Sequence, residues 1–314
     1  MDNDFNKISL NNIYILLNDN LNIAKYITKL NLNNKPPEYK FFIDNLDKFI
    51  NLIDLNIENN DITDKELYKL PDNIIKLNIT GCYNLTENSI IKFKNLKTLK
   101  CCRTKLSDNS ITDLNLNTLY CYETNISDKS IKYLTNLKKL FILDNEYITD
   151  NSIKYLLNLK YLNVKNNDKI TNKSIKKLIN IEKLFINNCN YITNSINYLN
   201  KLKDLHIINC FNITDKIIKQ LVNLNCLNIS NNNQITDKSI KHLINLTSLN
   251  ISNNYNITDN SIKYLNNLKI LICYKTKISE NSIKYLSNLE TIYCSFSIYN
   301  NKLNNPNLKN IYYL

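Results

Sequence analysis

The sequence predicts an α/β solenoid, a single array of stacked strand–turn–helix units, and three observations carry that prediction. One short motif recurs along most of the 314-residue chain. Its first half alternates apolar and polar residues, as a strand with one buried face does. Its second half spaces apolar residues along one side of a helix.

Aligned on L-x-x-L-x-L-x-x-N/C, about twelve units begin at Leu52, Ile74, Leu96, Leu116, Leu137, Leu159, Ile181, Leu202, Leu224, Leu246, Leu268 and Leu289. Their spacing of 20 to 22 residues is that of a leucine-rich repeat. This predicts a horseshoe with parallel strands on the concave face and helices on the convex face. In the unit from Leu246, residues Leu246, Leu249 and Ile251 point inward, and Ile257, Ile262 and Leu265 form the apolar side of the helix. One unit cannot bury such a face alone, so stability comes from stacking.

The ninth position is Asn (Asn145, Asn167, Asn232, Asn254) or Cys (Cys82, Cys189, Cys210). Either can bond the backbone groups of the turn that leaves the strand, which are buried and need partners. The Thr or Ser that follows (Thr149, Thr214, Thr236, Thr258, Ser127, Ser279) is placed to cap a helix. The next residue (Asp150, Asp215, Asp237, Asp259, Asp128, Glu280) puts negative charge at the positive end of the helix dipole. Thr63 and Glu66 have the spacing of a capping box. The units from Leu96, Leu116 and Leu268 shorten the turn and put Cys101, Cys121 or Cys273 at the third inward position. The unit from Ile181 loses a residue at Thr193-Asn194-Ser195.

The I-T-D-x-S-I signature with Cys allowed at the turn resembles the cysteine-containing subtype of leucine-rich repeat, common in F-box/leucine-rich-repeat proteins. The resemblance covers about residues 52–298. It implies a substrate receptor of a cullin-type ubiquitin ligase, whose box binds the ligase adaptor while the repeats hold the substrate. Residues 1–51 read as three helical stretches, near Leu10–Leu17, Asn22–Leu30 and Glu38–Ile50, the last after Pro36-Pro37. They form either a helical cap or a divergent F-box-like segment, lacking the usual opening Leu-Pro. Residues 299–314 read as a partial repeat that ends on another strand.

Composition narrows the function classes. A single glycine, Gly81, excludes a P-loop and a dinucleotide fingerprint, so no cofactor is expected. Two histidines, His206 and His242, supply no His-rich metal centre, and Cys189 and Cys210 lie one repeat apart without a close Cys-x-x-Cys pair, so no metal is expected. Cys101 should point inward and Cys102 outward, sharing no ligand geometry. His206 has Cys226 at a neighbouring outward position but no evident third group to orient it, so no catalytic residue and no enzyme activity are expected. Nine cysteines, an odd number placed by the repeat, fit a reducing, cytoplasmic or otherwise intracellular setting. The first residues, Met1-Asp2-Asn3-Asp4, show no secretory signal, and no apolar run spans a membrane.

The reading that remains is a non-enzymatic scaffold for protein–protein interaction. Residues between the inward leucines line the concave face. They are polar in the units from Leu224 and Leu246 (Asn228, Ser230, Asn250, Ser252). From Leu116 to Leu202 they become Tyr120, Tyr122, Lys139, Phe141, Leu143, Tyr161, Lys165, Lys183, Phe185, His206 and Ile208. Outward aromatics in successive repeats mark a protein-binding surface, or pack laterally on one another. Ile270, Ile272, Tyr274 and Tyr293 form a smaller cluster.

Basic residues flank the stripe: Lys97, Lys100, Arg103, Lys138, Lys139, Lys160, Lys165 and Lys183. With the formal charge of +12, they point to an acidic protein partner. Basic residues interleaved with aromatics also suit a nucleic-acid strand, the alternative reading. The scarcity of arginine weighs against it.

Overall fold

The structure, a computed structural model, describes residues 9–295 and 305–313. The opening Met1–Asp4, residues 299–304 of the partial repeat and Leu314 lie outside the described residues. The chain divides into two compact units, Met1–Asn158 and Leu159–Leu314.

In the first unit six parallel strands follow one another in chain order: β1 (Lys29–Asn31), β2 (Asp54–Asn56), β3 (Lys76–Asn78), β4 (Thr98–Lys100), β5 (Thr118–Tyr120) and β6 (Lys139–Phe141). Register puts Leu30, Leu55, Leu77, Leu99, Leu119 and Leu140 in one buried row. The second unit repeats the plan with β7 (Tyr161–Asn163), β8 (Lys183–Phe185), β9 (Asp204–His206), β10 (Cys226–Asn228), β11 (Ser248–Asn250), β12 (Ile270–Ile272), β13 (Thr291–Cys294) and β14 (Asn310–Tyr313). Each strand from β1 to β13 contributes one central Leu or Ile to the core, worth about 1.5–3 kcal/mol when fully buried. The expected helices are single turns of four residues, such as Asp128–Ile131 and Asp237–Ile240. Where the unit from Ile181 loses a residue, a 3-10 turn over Asn194–Tyr198 replaces the α turn.

The N-terminal segment is less helical than its sequence suggests. An α-helix spans Leu10–Asp19, capped by Ser9, and a 3-10 turn spans Leu21–Tyr26. The chain then leaves the helical conformation and enters β1, paired with β2, inside the expected Asn22–Leu30 helix. The reason is the same L-x-x-L-x-L spacing: Ile27, Leu30 and Leu32 are buried as the inward residues of one more unit ahead of Leu52. The Pro36-Pro37 insertion stretches the distance to Leu52 and hides the repeat. Phe42, Leu46 and Phe49 from the third stretch are fully buried.

Most turns after a strand carry a residue with positive φ, among them Asn59, Asn166, Asn188, Asn209, Asn231 and Asn253, all near φ 57–61°. Gly81 takes the same slot at φ 71°, where a Cβ would stand 2.4 Å from Asn59 Oδ1. Asn is among the side-chain-bearing residues that best tolerate this conformation. The abundance of Asn therefore has a conformational use beyond base composition.

The next position braces the turn, as the sequence predicts. Asn232 Nδ2 donates to the carbonyls of Ile207, Ile229 (3.1 Å) and Ser230 (3.2 Å), and Asn232 Oδ1 accepts from the N–H of Cys210 at 2.6 Å. Where Cys stands instead, its thiol donates to a carbonyl one repeat back: Cys82 to Ile57 (3.1 Å), Cys189 to Val164 (3.1 Å) and Cys210 to Ile186 (3.0 Å). The short-turn units solve the same problem with a hydroxyl. Thr104, Thr124 and Thr276 donate to the carbonyls of Cys101, Cys121 and Cys273 at 2.6, 2.7 and 2.8 Å. Cys102 is not outward; it is 2% exposed, and packing beside Thr80 and Tyr122 shields it.

In several helical turns the acid serves the next unit. Asp128 accepts from Thr149 N–H (2.8 Å), Thr149 Oγ1 (2.6 Å) and Ser152 Oγ (2.5 Å). Asp108 does the same for Ser127 and Ser130. In the second unit Asp215 serves Thr236 and Ser239, Asp237 serves Thr258 and Ser261, and Asp259 serves Ser279 and Ser282.

Burial works to raise the Asp108 carboxyl pKa, but hydrogen bonds from Ser127 and Ser130 outweigh it and the net shift is downward. A folded-state pKa below the unfolded value means that the unfolded chain binds the proton more tightly. The contribution of Asp108 is therefore complete above the unfolded carboxyl pKa and is lost as pH falls through the lower folded one. Acid unfolding of the wild type should show this loss, and Asp108→Asn should flatten the acid limb around that region. An identical acid limb in the variant would refute the assignment.

Candidate functional site

The predicted site residues fall into two groups, one in each unit. In the first, Tyr120 and Phe141 end neighbouring strands β5 and β6 and stack with centroids 3.8 Å apart and planes 8° from parallel. Lys100 Nζ lies 5.1 Å from the Tyr120 ring centroid, in cation–π range. Lys139 opens β6 and is exposed. Tyr122 and Leu143 follow in the turns and are half-buried. Burial raises the phenol pKa of both Tyr120 and Tyr122.

In the second unit, Tyr161 of β7 stacks on Phe185 of β8 (5.1 Å, 20°), and Phe185 stacks on His206 of β9 (4.1 Å, 19°). Lys165 and Ile208 lie half-buried in the turns after β7 and β9, and Lys183 is exposed. The smaller cluster joins the end of the chain: Tyr274 meets Tyr293 edge-on at 6.4 Å, and Tyr293 stacks on Tyr312 at 4.6 Å. Lateral packing is thus present, and it leaves the rings of the stripe half-buried.

These rings occupy a position that has a structural alternative. Strands β2, β3, β7, β10 and β11 end in Asn, whose Oδ1 accepts the N–H two residues on: Asn56 from Glu58, Asn78 from Thr80, Asn163 from Lys165, Asn228 from Ser230 and Asn250 from Ser252, at 3.0–3.2 Å. Tyr120, Phe141, Phe185 and His206 replace that Asn and give up the bond. The Ile208 N–H, two residues beyond His206, is served instead by Asn187 Oδ1 at 3.1 Å. Two of the expected outward residues, Ser230 and Ser252, are buried in these braced turns.

The basic rim is partly neutralised within the chain. Lys160 pairs with Glu182 at 2.8 Å and Lys183 with Asp204 at 3.2 Å. Asp204 is also the third group that the pairing of His206 and Cys226 lacks in the linear sequence. Its Oδ1 lies 3.1 Å from His206 Nε2, and Cys226 stands beside it in register. Burial works to raise the Asp204 carboxyl pKa and is outweighed by His206 and Lys183, leaving it lowered. The Cys226 thiol is pushed up to about 11 by burial and by the Asp204 charge. A nucleophilic cysteine needs the opposite shift.

A row of exposed tyrosines lies on the helical side, outside the residues that strand alternation singles out. Tyr133 (63% exposed) and Tyr155 in the first unit, and Tyr264 and Tyr285 in the second, occupy the Tyr of the recurring I-K-Y-L. The preceding lysine lies 4.9–5.3 Å from each ring centroid. The signal for this row is the recurrence of Lys-Tyr in one slot.

No family model matches the chain, and no curated protein matches it. Among solved structures it is similar to an internalin from Listeria monocytogenes, at TM-score 0.60 and 22% identity over 86% of this chain and 87% of that one. It is also similar to a leucine-rich-repeat protein from Leptospira interrogans, at TM-score 0.56 and 21% identity over 93% and 86%. The fold is a leucine-rich repeat. That fold is commonly a scaffold for protein interaction, because stacked units present an extended surface of variable side chains. Among the described residues no helix is long and apolar enough to cross a membrane.

Proposed function

We propose that the protein is a non-enzymatic scaffold that binds another protein through the outward face of its strands. The observation that carries this reading is the exchange of a turn-bracing Asn for an aromatic ring at Tyr120, Phe141, Phe185 and His206. At Tyr120, Phe141 and Phe185 the exchange forgoes the Asn hydrogen bond, worth about 0.5–1.5 kcal/mol, while at His206 Asn187 replaces it, and all four exchanges place an amphipathic or apolar ring on the strand face. Neighbouring units with Asn at that position fold the same way, so the fold does not require the rings. Tyr122 and Leu143 extend the apolar surface of the first unit and Ile208 that of the second, and exposed Lys139 with Lys165 favours an acidic partner over a basic one.

Proximity labelling with wild type and with a Tyr120→Ala, Phe141→Ala, Phe185→Ala variant tests this reading. The variant is expected to lose its partners, because buried aromatic anchors cost about 2 kcal/mol or more each. A Tyr133→Ser, Tyr155→Ser variant, altered on the helical side, should keep them. The reverse outcome would move the binding face to the helical side. A strand-binding protein would instead retain single-stranded nucleic acid with a steep salt dependence.

A ligase-receptor role belongs to the same proposal at finer grain. Residues 1–51 hold β1 in register with β2, which supports a cap continuous with the array. The exposed face of the first helix, where Ile15 and Leu16 project, offers an adaptor an apolar contact. Recovery of a ligase adaptor by wild type but not by Ile15→Asp, Leu16→Asp would support that role. The nine free cysteines support a reducing compartment.

A further inference from the structure

The outward face of the second unit also brings together three side chains with metal-binding chemistry. Asp204 and His206 take the first and third positions of β9, so both project to the same face. Cys226 opens β10 and is in register with Asp204. One carboxylate oxygen, one imidazole nitrogen and the thiol sulfur lie within 4.8 Å of one another. Ligand bonds of about 2.0–2.3 Å in a tetrahedral site separate ligand atoms by about 3.3–3.7 Å, so the imidazole nitrogen and the carboxylate oxygen, 3.1 Å apart, are already near that spacing and the thiol needs to approach by at most about 1.5 Å.

The surroundings act on two of the donors. Stacking on Phe185 fixes the His206 ring plane. The Lys183 ammonium, 3.2 Å from Asp204 Oδ2, is the cation with which an incoming ion competes for the carboxylate. The other oxygen, Oδ1, stands 3.1 Å from His206 Nε2, and the Cys226 thiol hydrogen-bonds the same carboxylate. One carboxylate thus gathers an imidazole and a thiol, and an ion can take the place of the protons shared among the three. Eight of the nine cysteines are buried; Cys226 alone is partly exposed. The set of one sulfur, one imidazole and one carboxylate suits zinc-class ions and disfavours magnesium or calcium, which take oxygen ligands.

We propose that Asp204, His206 and Cys226 bind a divalent ion of the zinc class, leaving a fourth position for water or for a donor from a bound protein. Coordination replaces the thiol proton of Cys226 with the ion and releases that proton to solvent. A three-ligand site of this kind is open, unlike a closed structural site.

Titration of the purified full chain with cobalt(II) tests the proposal. Wild type is expected to bind one ion per chain, with the visible bands of tetrahedral cobalt and a thiolate-to-cobalt charge-transfer band. Zinc should displace the cobalt and protect Cys226 from maleimide. Cys226→Ser should abolish the charge-transfer band, and Asp204→Asn should weaken binding by at least about tenfold, the scale seen when even an outer-shell group is lost. Lys183→Met leaves the ligands in place and removes a competing cation, so it should tighten binding several-fold. A wild type without spectral change, or a charge-transfer band unaltered in Cys226→Ser, would overturn the site. So would a Lys183→Met variant that binds no more tightly than wild type.

Discussion

Asn232→Ala should destabilise the second unit by about 3–5 kcal/mol, more than most single substitutions on this chain. Asn232 is fully buried, and its amide serves groups from two successive repeats. Truncation strands the Cys210 N–H and the Ile207 carbonyl away from water, at about 1–3 kcal/mol each. The carbonyl of Ile229 suffers less, because Asn254 Nδ2 also reaches it at 2.8 Å.

Asn232→Cys provides the contrast. Cys189 and Cys210 show that a thiol here can still donate one repeat back. A thiol is a poor acceptor, so the Cys210 N–H must turn to a local carbonyl, as the Cys189 N–H does with Ile186 at 3.1 Å. Asn232→Cys should therefore cost about 1 kcal/mol, in the range of one net hydrogen bond. Hydrogen exchange over residues 207–232 would resolve the difference locally, which suits an array whose stability sums over units and interfaces. Equal protection in both variants would show that the amide does not bridge the repeats.

Asp215→Ala is expected to cost about 2–4 kcal/mol, through the neighbouring unit rather than its own. The carboxylate accepts from Thr236 N–H at 2.9 Å and from the hydroxyls of Thr236 and Ser239 at 2.6 Å each. Removing it leaves the buried Ser239 hydroxyl with only the Thr236 carbonyl at 3.3 Å. Asp215→Asn should lose about half as much as Asp215→Ala, because Asn172, which leaves Ser195 Oγ without a hydrogen bond, already performs part of the task. It accepts from Thr193 N–H at 2.8 Å and donates to Thr193 Oγ1 at 2.8 Å. Urea unfolding gives the total loss, and exchange at Thr236–Ser239 gives its place. If the loss appeared instead in the helical turn Asp215–Ile218, the carboxylate would act mainly on the dipole of its own turn.

Much of this architecture is legible in the residues themselves. Leu249 and Ile251 read as inward because alternation has a period of two, and Thr258 reads as a cap because a hydroxyl before an acid is a helix start. The aromatic stripe is legible for the same reason: once Leu119, Leu140, Leu184 and Leu205 are inward, their neighbours Tyr120, Phe141, Phe185 and His206 must be outward. The strand at Lys29–Asn31 is hidden because two prolines lengthen its unit and the helical stretches around it set the expectation. Cys102 reads as outward and is buried because alternation fails where the strand ends and the turn begins. The exposed Lys-Tyr row is present in every I-K-Y-L, but the apolar residues of that motif dominate its helical pattern.

The sequence by itself determined the repeat, the inward residues, the caps and the position of the outward rings, because each depends on periodicity within one unit. The tertiary structure decided which neighbour each polar side chain serves. Asp215 bonds residues 21 and 24 positions away, and Asp204 meets Cys226 one repeat further along the chain. Such pairings depend on how one repeat is set against the next, a quantity that local propensity does not encode. The candidate metal ligands arise there, where parallel register lays Cys226 beside Asp204 while two-residue alternation turns His206 to the same face.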